Sequence, residues 1–224
     1  MSSEDQRVLL LVGSPKAAGR SVSEALGCHV IEKMEARGWS SRTIFIRASL
    51  QSDGGRAALL SRASDADLII LSFPLYVDSL PAPVIRAMEL IAKHGLRKNA
   101  RFASIANCGF PEARHNNVAL DICRRFADAA GLEWAGGLAL GMGGALSGKH
   151  LRDQGPMAGK IIESLDVAVD ALVGGKSIPD EAVRRMARPI IPAVMYTAIG
   201  NFGWRRQAKR YGVKGKLNDR PYQP

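Results

Sequence analysis

A short run, residues 13–21, combines the residue types that bind a phosphate group. It follows an apolar stretch and precedes a helical pattern, and the amino end of a helix attracts anions through unpaired N–H groups and a partial positive charge. Ser14 and Ser21 add hydroxyl donors, and Lys16 and Arg20 can neutralise a phosphate. The run predicts a phosphate site; a plain strand-to-helix turn capped by serine is the alternative.

Two well-known phosphate loops fit this run less well. The dinucleotide fingerprint G-x-G-x-x-G is absent. A Walker A loop has four residues between its glycines and then a lysine, whereas five residues separate Gly13 from Gly19 and Arg20 replaces the lysine. The apolar run 68–73 also ends in Pro74 and not in an aspartate that could hold magnesium. A nucleotide-binding phosphotransferase is therefore the weakest alternative.

A second segment, residues 72–83, could hold a flat aromatic ring. Pro74, Leu75 and Tyr76 offer apolar walls, which a planar cofactor needs with few charges nearby. Tyr76 can also stack on a ring or form a hydrogen bond through its hydroxyl group. By itself the segment is also typical of a loop that leads into a helix started by proline.

A third segment, residues 107–116, follows another apolar run. Gly109 allows a ligand to approach the backbone closely. Cys108 could be a nucleophile, but a small buried residue is the favoured interpretation, because no base is known to lie near it. His115 could exchange protons, although a surface or capping role is favoured at the start of a helix. A glycine-rich run, residues 141–148, predicts a rim over the cleft, a subunit contact or a loop without a function.

Apolar runs and helical patterns alternate along the chain and predict how these segments are positioned. Strands are predicted at 8–12, 43–46, 68–73, 102–106 and 138–140, and helices at 22–37, 56–66, 82–94, 116–130 and 157–173. Runs that are apolar at successive positions suit strands buried on both faces of a parallel sheet. The alternation predicts an α/β fold with a doubly wound, five-stranded parallel sheet. Such sheets bind ligands beyond the carboxyl ends of their strands.

Composition excludes several classes of protein. The 224 residues are 46% hydrophobic and 23% charged, which is ordinary for a globular protein. The three cysteines form no C-x-x-C pair, so we expect no metal site and a reducing compartment, the cytoplasm. The acidic start is unlike a signal peptide, and no apolar stretch reaches the length of a membrane-spanning helix.

The positive charge is concentrated at the carboxyl-terminal end. The net charge is +10, and the stretch from Arg184 holds ten of the 31 Lys and Arg residues but one of the 21 acids. We expect a main domain at residues 1–177 and an irregular extension with short helical pieces at 178–224. Prolines and glycines interrupt the apolar part of this extension, so packing on the domain or on a partner subunit is favoured over an acidic membrane surface. No nucleic-acid partner is expected, because no reading motif accompanies the charge.

The three segments together resemble the NADPH-dependent FMN reductase branch of the flavodoxin-like superfamily. The resemblance rests on run 13–21, on residues 66–70 and 74–81, and on residues 107–112. The tail, at residues 201–204, 208–209 and 220–222, is similar to the extensions of iron–sulfur flavoproteins, but the cysteines that bind their cluster are absent. The fold implied is flavodoxin-like, the cofactor is FMN with NAD(P)H as co-substrate, and the assembly is a homodimer.

The resemblance also implies which residues contact FMN. Phosphate contacts are implied at Ser14, Arg20, Ser21 and the Val22 amide, beside the positive charge of Lys16; the family often has asparagine where Arg20 stands. Ring contacts are implied at Pro74, Leu75, Tyr76 and Val77 in the second segment, and at Asn107, Cys108, Gly109 and Phe110 in the third. The reaction is centred on the flavin, so no catalytic side chain is predicted.

Three functions stay open at this stage. The first is an FMN-dependent oxidoreductase that passes electrons from NAD(P)H to a small acceptor such as a quinone, a flavin or a nitro- or azo-aromatic compound. The second is a flavin-binding electron carrier or sensor that does not itself oxidise NAD(P)H. Flavodoxin-type carriers are commonly acidic, and the basic charge of this chain favours the enzyme. The third is the phosphotransferase.

Overall fold

The computed structural model of the chain describes residues 6–96 and 99–220, and its centre is one five-stranded sheet in which all neighbouring strands run parallel. The strands are Arg7–Val12 (β1), Ser40–Phe45 (β2), Leu68–Pro74 (β3), Arg101–Asn107 (β4) and Glu133–Leu140 (β5). Their order across the sheet is β2-β1-β3-β4-β5. The predicted doubly wound parallel sheet is therefore confirmed, and the order is that of the flavodoxin-like fold.

The described residues form eight α-helices. They are Val22–Glu35 (α1), Ile46–Ser49 (α2), Asp53–Asp65 (α3), Ala82–His94 (α4), Asn117–Ala130 (α5), Gly159–Val173 (α6), Asp180–Met186 (α7) and Ala193–Arg210 (α8). Side chains of α1, α6 and α7 pack on one face, and side chains of α3, α4 and α5 pack on the other. Successive residues of β1 alternate between these two layers, so the whole strand is apolar and was readily predicted.

The two strands with the weakest sequence signals are those at the edges of the sheet. In β2, Ser40, Arg42 and Thr43 are exposed, because this strand has a neighbour on one side only. In β5, Gly136 and Gly137 lie between Trp134 and the apolar end of the strand, so its first half was not predicted.

Contacts divide the chain into two units, one ending at Ile190 and one beginning at Ile191. The expected boundary fell after residue 177. The two positions differ because Ile178, Ala182 and Met186 are buried in the same apolar layer as α1 and α6.

The prediction of an irregular carboxyl-terminal extension was wrong, since α8 is a continuous helix of 18 residues. Pro192 precedes the helix as its amino-terminal cap, where proline is tolerated. Gly200 and Gly203 lie inside the helix, where each costs about 1 kcal/mol relative to alanine without ending it. Pro221 and Tyr222, which belong to the tail resemblance, lie outside the described residues. Within the described ranges, no helix is long and apolar enough to cross a bilayer.

Candidate functional site

The register of the sheet brings the three predicted segments to one edge. Val12 at the end of β1 pairs with Ser72 of β3, and Pro74 at the end of β3 pairs with Asn107 at the end of β4. The residues that follow these strands form the first loop (13–21), the second loop (75–81) and the third loop (108–112). All three leave the sheet at its carboxyl edge, where ligands bind in this class of fold.

The first loop ends in the amino terminus of α1. Ser21 is the cap, and its Oγ accepts a hydrogen bond from the Glu24 amide over 3.1 Å. Within the described part of the chain, the amides of Ser21, Val22 and Ser23 have no acceptor. Three consecutive free amides at the start of a helix, together with the helix dipole, are suited to binding an anion.

Two cations belong to the same loop, and one acid of α1 is bonded to it. The side chains of Lys16 and Arg20 are exposed and form no ion pair with any described residue. The Glu24 carboxylate accepts a hydrogen bond from the Gly19 amide over 2.7 Å. Sequence analysis missed Glu24, although the spacing of Ser21 and Glu24 is that of a capping box. In this protein the Glu24 carboxylate bonds to the Gly19 amide in the loop and not to the amide of the capping residue, Ser21.

The second loop is a tight turn whose first residue is bonded to the end of β4. The Leu75 amide donates to the Asn107 carbonyl over 2.8 Å, and Tyr76 and Ser79 exchange backbone hydrogen bonds of 2.9 and 3.0 Å. Val77 and Asp78 at its tip have φ values of 49° and 55°. A β-branched residue in this left-handed region is strained by about 1–3 kcal/mol, and such strain clusters at ligand sites. Val77 is also 99% exposed, so its side chain contributes nothing to the core.

The third loop is held by backbone and side-chain bonds. The Cys108 amide donates to the Leu140 carbonyl over 3.0 Å, which joins the loop to the end of β5. The Asn116 side-chain amide donates to the Ala113 and Leu140 carbonyls over 3.0 and 3.2 Å. The Phe110 ring is half-exposed and lies against His115, with ring centroids 4.4 Å apart. The loop therefore presents one aromatic ring from a fixed backbone.

The third loop also contains Cys108. This cysteine is buried, and burial raises its pKa above the ordinary value, whereas the bond that its thiol donates to the Phe110 carbonyl and the bond that it accepts from the Asn116 side chain act in the opposite direction. Burial likewise raises the pKa of Cys28 to about 11 and that of Cys123 to about 12. Because the thiolate is the reactive form, none of the three is suited to nucleophilic chemistry at neutral pH.

A buried polar network lies beneath the loops. The Ser23 hydroxyl donates to Asn107 Oδ1 over 2.7 Å, and the Ser72 hydroxyl donates to the Ser23 carbonyl over 2.6 Å. These bonds tie the start of α1 to the ends of β3 and β4. Sequence analysis missed Ser23 and Ser72. For Ser72 the available signal was a serine inside an otherwise apolar, buried strand.

The glycine-rich run packs against two of the loops. The Met142 amide donates to the Phe110 carbonyl over 2.7 Å, and the Gly143 amide donates to the Cys108 carbonyl over 2.8 Å. A Cβ atom at Gly148 would lie 2.6 Å from the Ser21 amide nitrogen and would also meet the Arg20 backbone. The run therefore packs against the first and third loops. Its first three residues are buried, so it is not simply a solvent-exposed loop.

No protein-family model matches the chain, and no curated protein matches it in sequence. Solved structures do match its fold. An NADH:FMN oxidoreductase in its apo form is 17% identical with a TM-score of 0.55, over 84% of this chain and 96% of that one. A candidate quinone reductase from Klebsiella pneumoniae is 15% identical with a TM-score of 0.56, over 78% and 87%. An azoreductase from Bacillus anthracis is 13% identical with a TM-score of 0.51, over 76% and 99%.

These structural matches agree with the strand order. The chain has a flavodoxin-like fold, as the sequence resemblance predicted.

Proposed function

We propose that the protein is an FMN-dependent oxidoreductase that takes electrons from NAD(P)H and passes them to a small acceptor. The observation that carries the proposal is the set of free amides at Ser21, Val22 and Ser23, which lies at the same sheet edge as the strained second loop and the exposed Phe110 ring. This combination suits a phosphate at one end of a ligand and a planar ring at the other.

The phosphate end is suited to FMN by the chemistry of its donors. Ser14 and Ser21 use their Oγ atoms as acceptors of backbone amides, so their hydroxyl hydrogens are free to donate. Together with the Val22 amide and the Arg20 guanidinium they would bind a phosphomonoester, and Lys16 adds a second positive charge nearby. The Glu24 carboxylate accepts a hydrogen bond from one loop amide, that of Gly19, and accepts none from the helix amides.

The ring end is suited to an isoalloxazine by shape and polarity. Pro74, Leu75, Tyr76 and Val77 would contact one side of the ring, and Asn107, Cys108, Gly109 and Phe110 would contact its other side and edge. The bond between Leu75 and Asn107 keeps these two walls at a constant separation. Exposed apolar side chains at Tyr76, Val77 and Phe110 would lose water when the ring binds.

The flavin would supply hydride and electron transfer, and the protein would bind it, orient it and exclude water from its face. No side-chain nucleophile is needed, in keeping with the raised pKa values of the thiols. A single open cleft is suited to alternate use by NAD(P)H and by the acceptor, which gives ping-pong kinetics. A quinone, a flavin or a nitro- or azo-aromatic compound would suit its apolar walls.

A homodimer in the cytoplasm is part of the proposal. Ile85 on α4 and Val118 and Ile122 on α5 are exposed on neighbouring helices. Exposed apolar side chains on two helices that contact each other would suit a subunit contact.

The experiment is an FMN titration followed by anaerobic addition of NADPH or NADH. The proposal predicts one FMN per chain and rapid bleaching of the flavin absorption at about 450 nm. Binding without bleaching would instead support the carrier or sensor. A protein that binds ATP and does not bind FMN would support the phosphotransferase and overturn both flavin functions.

A further inference from the structure

The terminal segment, residues 191–220, is rich in apolar side chains that face water. Its helix, α8, is exposed along almost its whole length, and Ala208 is its buried residue. More than half of the large apolar side chains that are exposed among the described residues belong to this segment: Val194, Met195, Ile199, Phe202, Trp204, Tyr211, Val213 and Leu217. Exposed apolar surface that is concentrated in this way indicates a site of interaction with a partner.

The same segment carries positive charge without compensation. Residues 191–218 contain no acid, and they contain six bases: Arg205, Arg206, Lys209, Arg210, Lys214 and Lys216. None of these six forms an ion pair with a described residue. In α7, by contrast, Arg185 is paired with Glu163 and Glu181 over 2.5 and 2.6 Å. The partner is therefore expected to be negatively charged.

Apolar and basic residues are separated along the axis of α8. The stretch from Ala193 to Trp204 carries no charged side chain and spans ~18 Å of helix. All the charges of α8 lie in its last part, residues 205–210, and Trp204 stands at the border. Tryptophan is enriched where apolar and aqueous regions of a membrane meet. This order suits a helix whose apolar end dips below the lipid headgroups while its basic end stays among them.

An anionic lipid surface matches both properties of the segment, because it supplies negative charge and an apolar interior. A second copy of the same segment would bring like charges together, which opposes their pairing. A nucleic acid would neutralise the charge but would leave the apolar side chains in water. Interruption by prolines and glycines was the reason to favour packing over a membrane contact, and the continuity of α8 removes that reason.

We propose that the terminal segment binds anionic lipid at a membrane surface, with Phe202 and Trp204 below the headgroups and Arg205 and Arg206 among the lipid phosphates. The contact is peripheral, with α8 lying at the surface and not spanning the bilayer. The inference is independent of the flavin and of the proposed reaction, so its test needs neither.

The first test measures how the full chain sediments with vesicles. Vesicles of phosphatidylcholine and phosphatidylglycerol are compared with vesicles of phosphatidylcholine alone, at low and at high salt. Affinity for the anionic vesicles should be higher by about tenfold or more, and it should fall as salt screens the charges. Equal affinity for the two kinds of vesicle, or no binding to either, would overturn the proposal.

Two double variants separate the charge of α8 from the charge of the whole protein. Arg205→Gln with Arg206→Gln should lower affinity for the anionic vesicles about tenfold. Arg42→Gln with Arg62→Gln removes the same charge from exposed positions on β2 and α3 and should leave the affinity nearly unchanged. Equal losses in the two variants would mean attraction to net charge and would overturn the assignment to α8.

Phe202→Gln tests the apolar part of the contact. Phe202 is exposed in α8, so the substitution takes nothing from the core, and the circular dichroism spectrum should not change. Affinity for the anionic vesicles should fall about tenfold.

Tryptophan fluorescence reports whether the helix enters the lipid. Trp204 is exposed, whereas Trp39 is buried and Trp134 is half-buried. Anionic vesicles should shift the emission of the wild type to shorter wavelength, because Trp204 leaves water. Trp204→Phe, which keeps an aromatic ring at this position, should abolish the shift while the protein still binds the vesicles.

Two further results would overturn the proposal. One is vesicle binding that Phe202→Gln leaves unchanged and that produces no shift in emission, since charge alone would then be sufficient. The other is a wild-type oligomer that Phe202→Gln dissociates and that anionic vesicles leave intact, as measured by analytical ultracentrifugation. A second copy of the chain would then be the partner that covers the segment.

Discussion

The Ser23 hydroxyl donates a buried hydrogen bond to Asn107 Oδ1 over 2.7 Å, and it thereby joins the first turn of α1 to the end of β4. Ser23 would help to position the amides that bind a phosphate, and Asn107 immediately precedes the third loop, which would contact a ring. Because the two residues share one bond, this bond links the two halves of the site directly. The bond makes the start of α1 and the third loop parts of one framework.

Ser23→Ala should therefore weaken both the fold and the site. Asn107 Oδ1 would lose its donor in a buried position, which costs about 1–3 kcal/mol. We expect the free energy of unfolding in urea to fall by that amount and FMN affinity to fall severalfold. Ser61→Ala, an exposed change on α3, should alter the stability by less than ~0.5 kcal/mol. Equal effects of the two substitutions would contradict the role given to Ser23.

Arg20→Ala should weaken FMN binding and leave the fold intact. The Arg20 side chain is exposed and has no partner among the described residues, so its removal takes nothing from the core. A charge-assisted bond to a phosphate contributes ~1.5–3 kcal/mol, which corresponds to a loss of roughly tenfold to a hundredfold in affinity. Fluorescence titration measures the affinity, and thermal unfolding without FMN measures the stability. Unchanged affinity would refute the phosphate contact.

Gly148→Ala should displace the first loop. The added Cβ would lie 2.6 Å from the Ser21 amide nitrogen, and the atoms it meets belong to the backbone, which cannot rotate away. We expect a loss of stability of about 1–3 kcal/mol and a weaker FMN complex. Gly54→Ala, in an open position on α3, is the control and should be neutral or slightly stabilising. A Gly148→Ala protein that binds FMN like the wild type would show that the glycine-rich run does not shape the site.

Asp166→Asn should change the dependence of stability on pH. Burial opposes the ionisation of Asp166, but hydrogen bonds from Lys33 and His29, each 2.8 Å long, outweigh it and lower its pKa below 3.8. A lowered pKa in the folded state stabilises the protein above the unfolded pKa, and this stabilisation is lost as the pH falls through the folded pKa. The substitution should cost ~1–3 kcal/mol at pH 7, because His29 is buried.

The difference in stability between the wild type and Asp166→Asn should therefore shrink as the pH falls below about 5. Urea unfolding at a series of pH values measures it. Asp121→Asn, an exposed change on α5, should show a smaller difference at every pH. A stability difference that stays the same down to pH 3 would contradict the assignment of this pH dependence to the ionisation of Asp166.

The layout of the site could be predicted from sequence because the sheet determines it. Parallel strands with continuous apolar runs end at one edge, so residues after Val12, Pro74 and Asn107 had to meet there. Helix α4 was predicted with both of its ends, because Pro81 and Gly95 mark them.

Contacts between distant segments could not be predicted in the same way. Ser23 and Asn107 are 84 residues apart, and no local pattern pairs them. The close approach of Gly148 to the first loop depends on the path of a segment that has little regular structure. In α8, helical hydrogen bonding continues through two glycines. A count of helix-breaking residues overestimates the destabilising effect of these glycines.

The account is tested most directly by a crystal structure of the protein grown with excess FMN. It predicts the phosphate at the amides of Ser21 and Val22 beside Arg20, and the ring between the second and third loops, against Tyr76 and Phe110. An empty cleft at full FMN concentration, or FMN bound away from the carboxyl edge of the sheet, would contradict it.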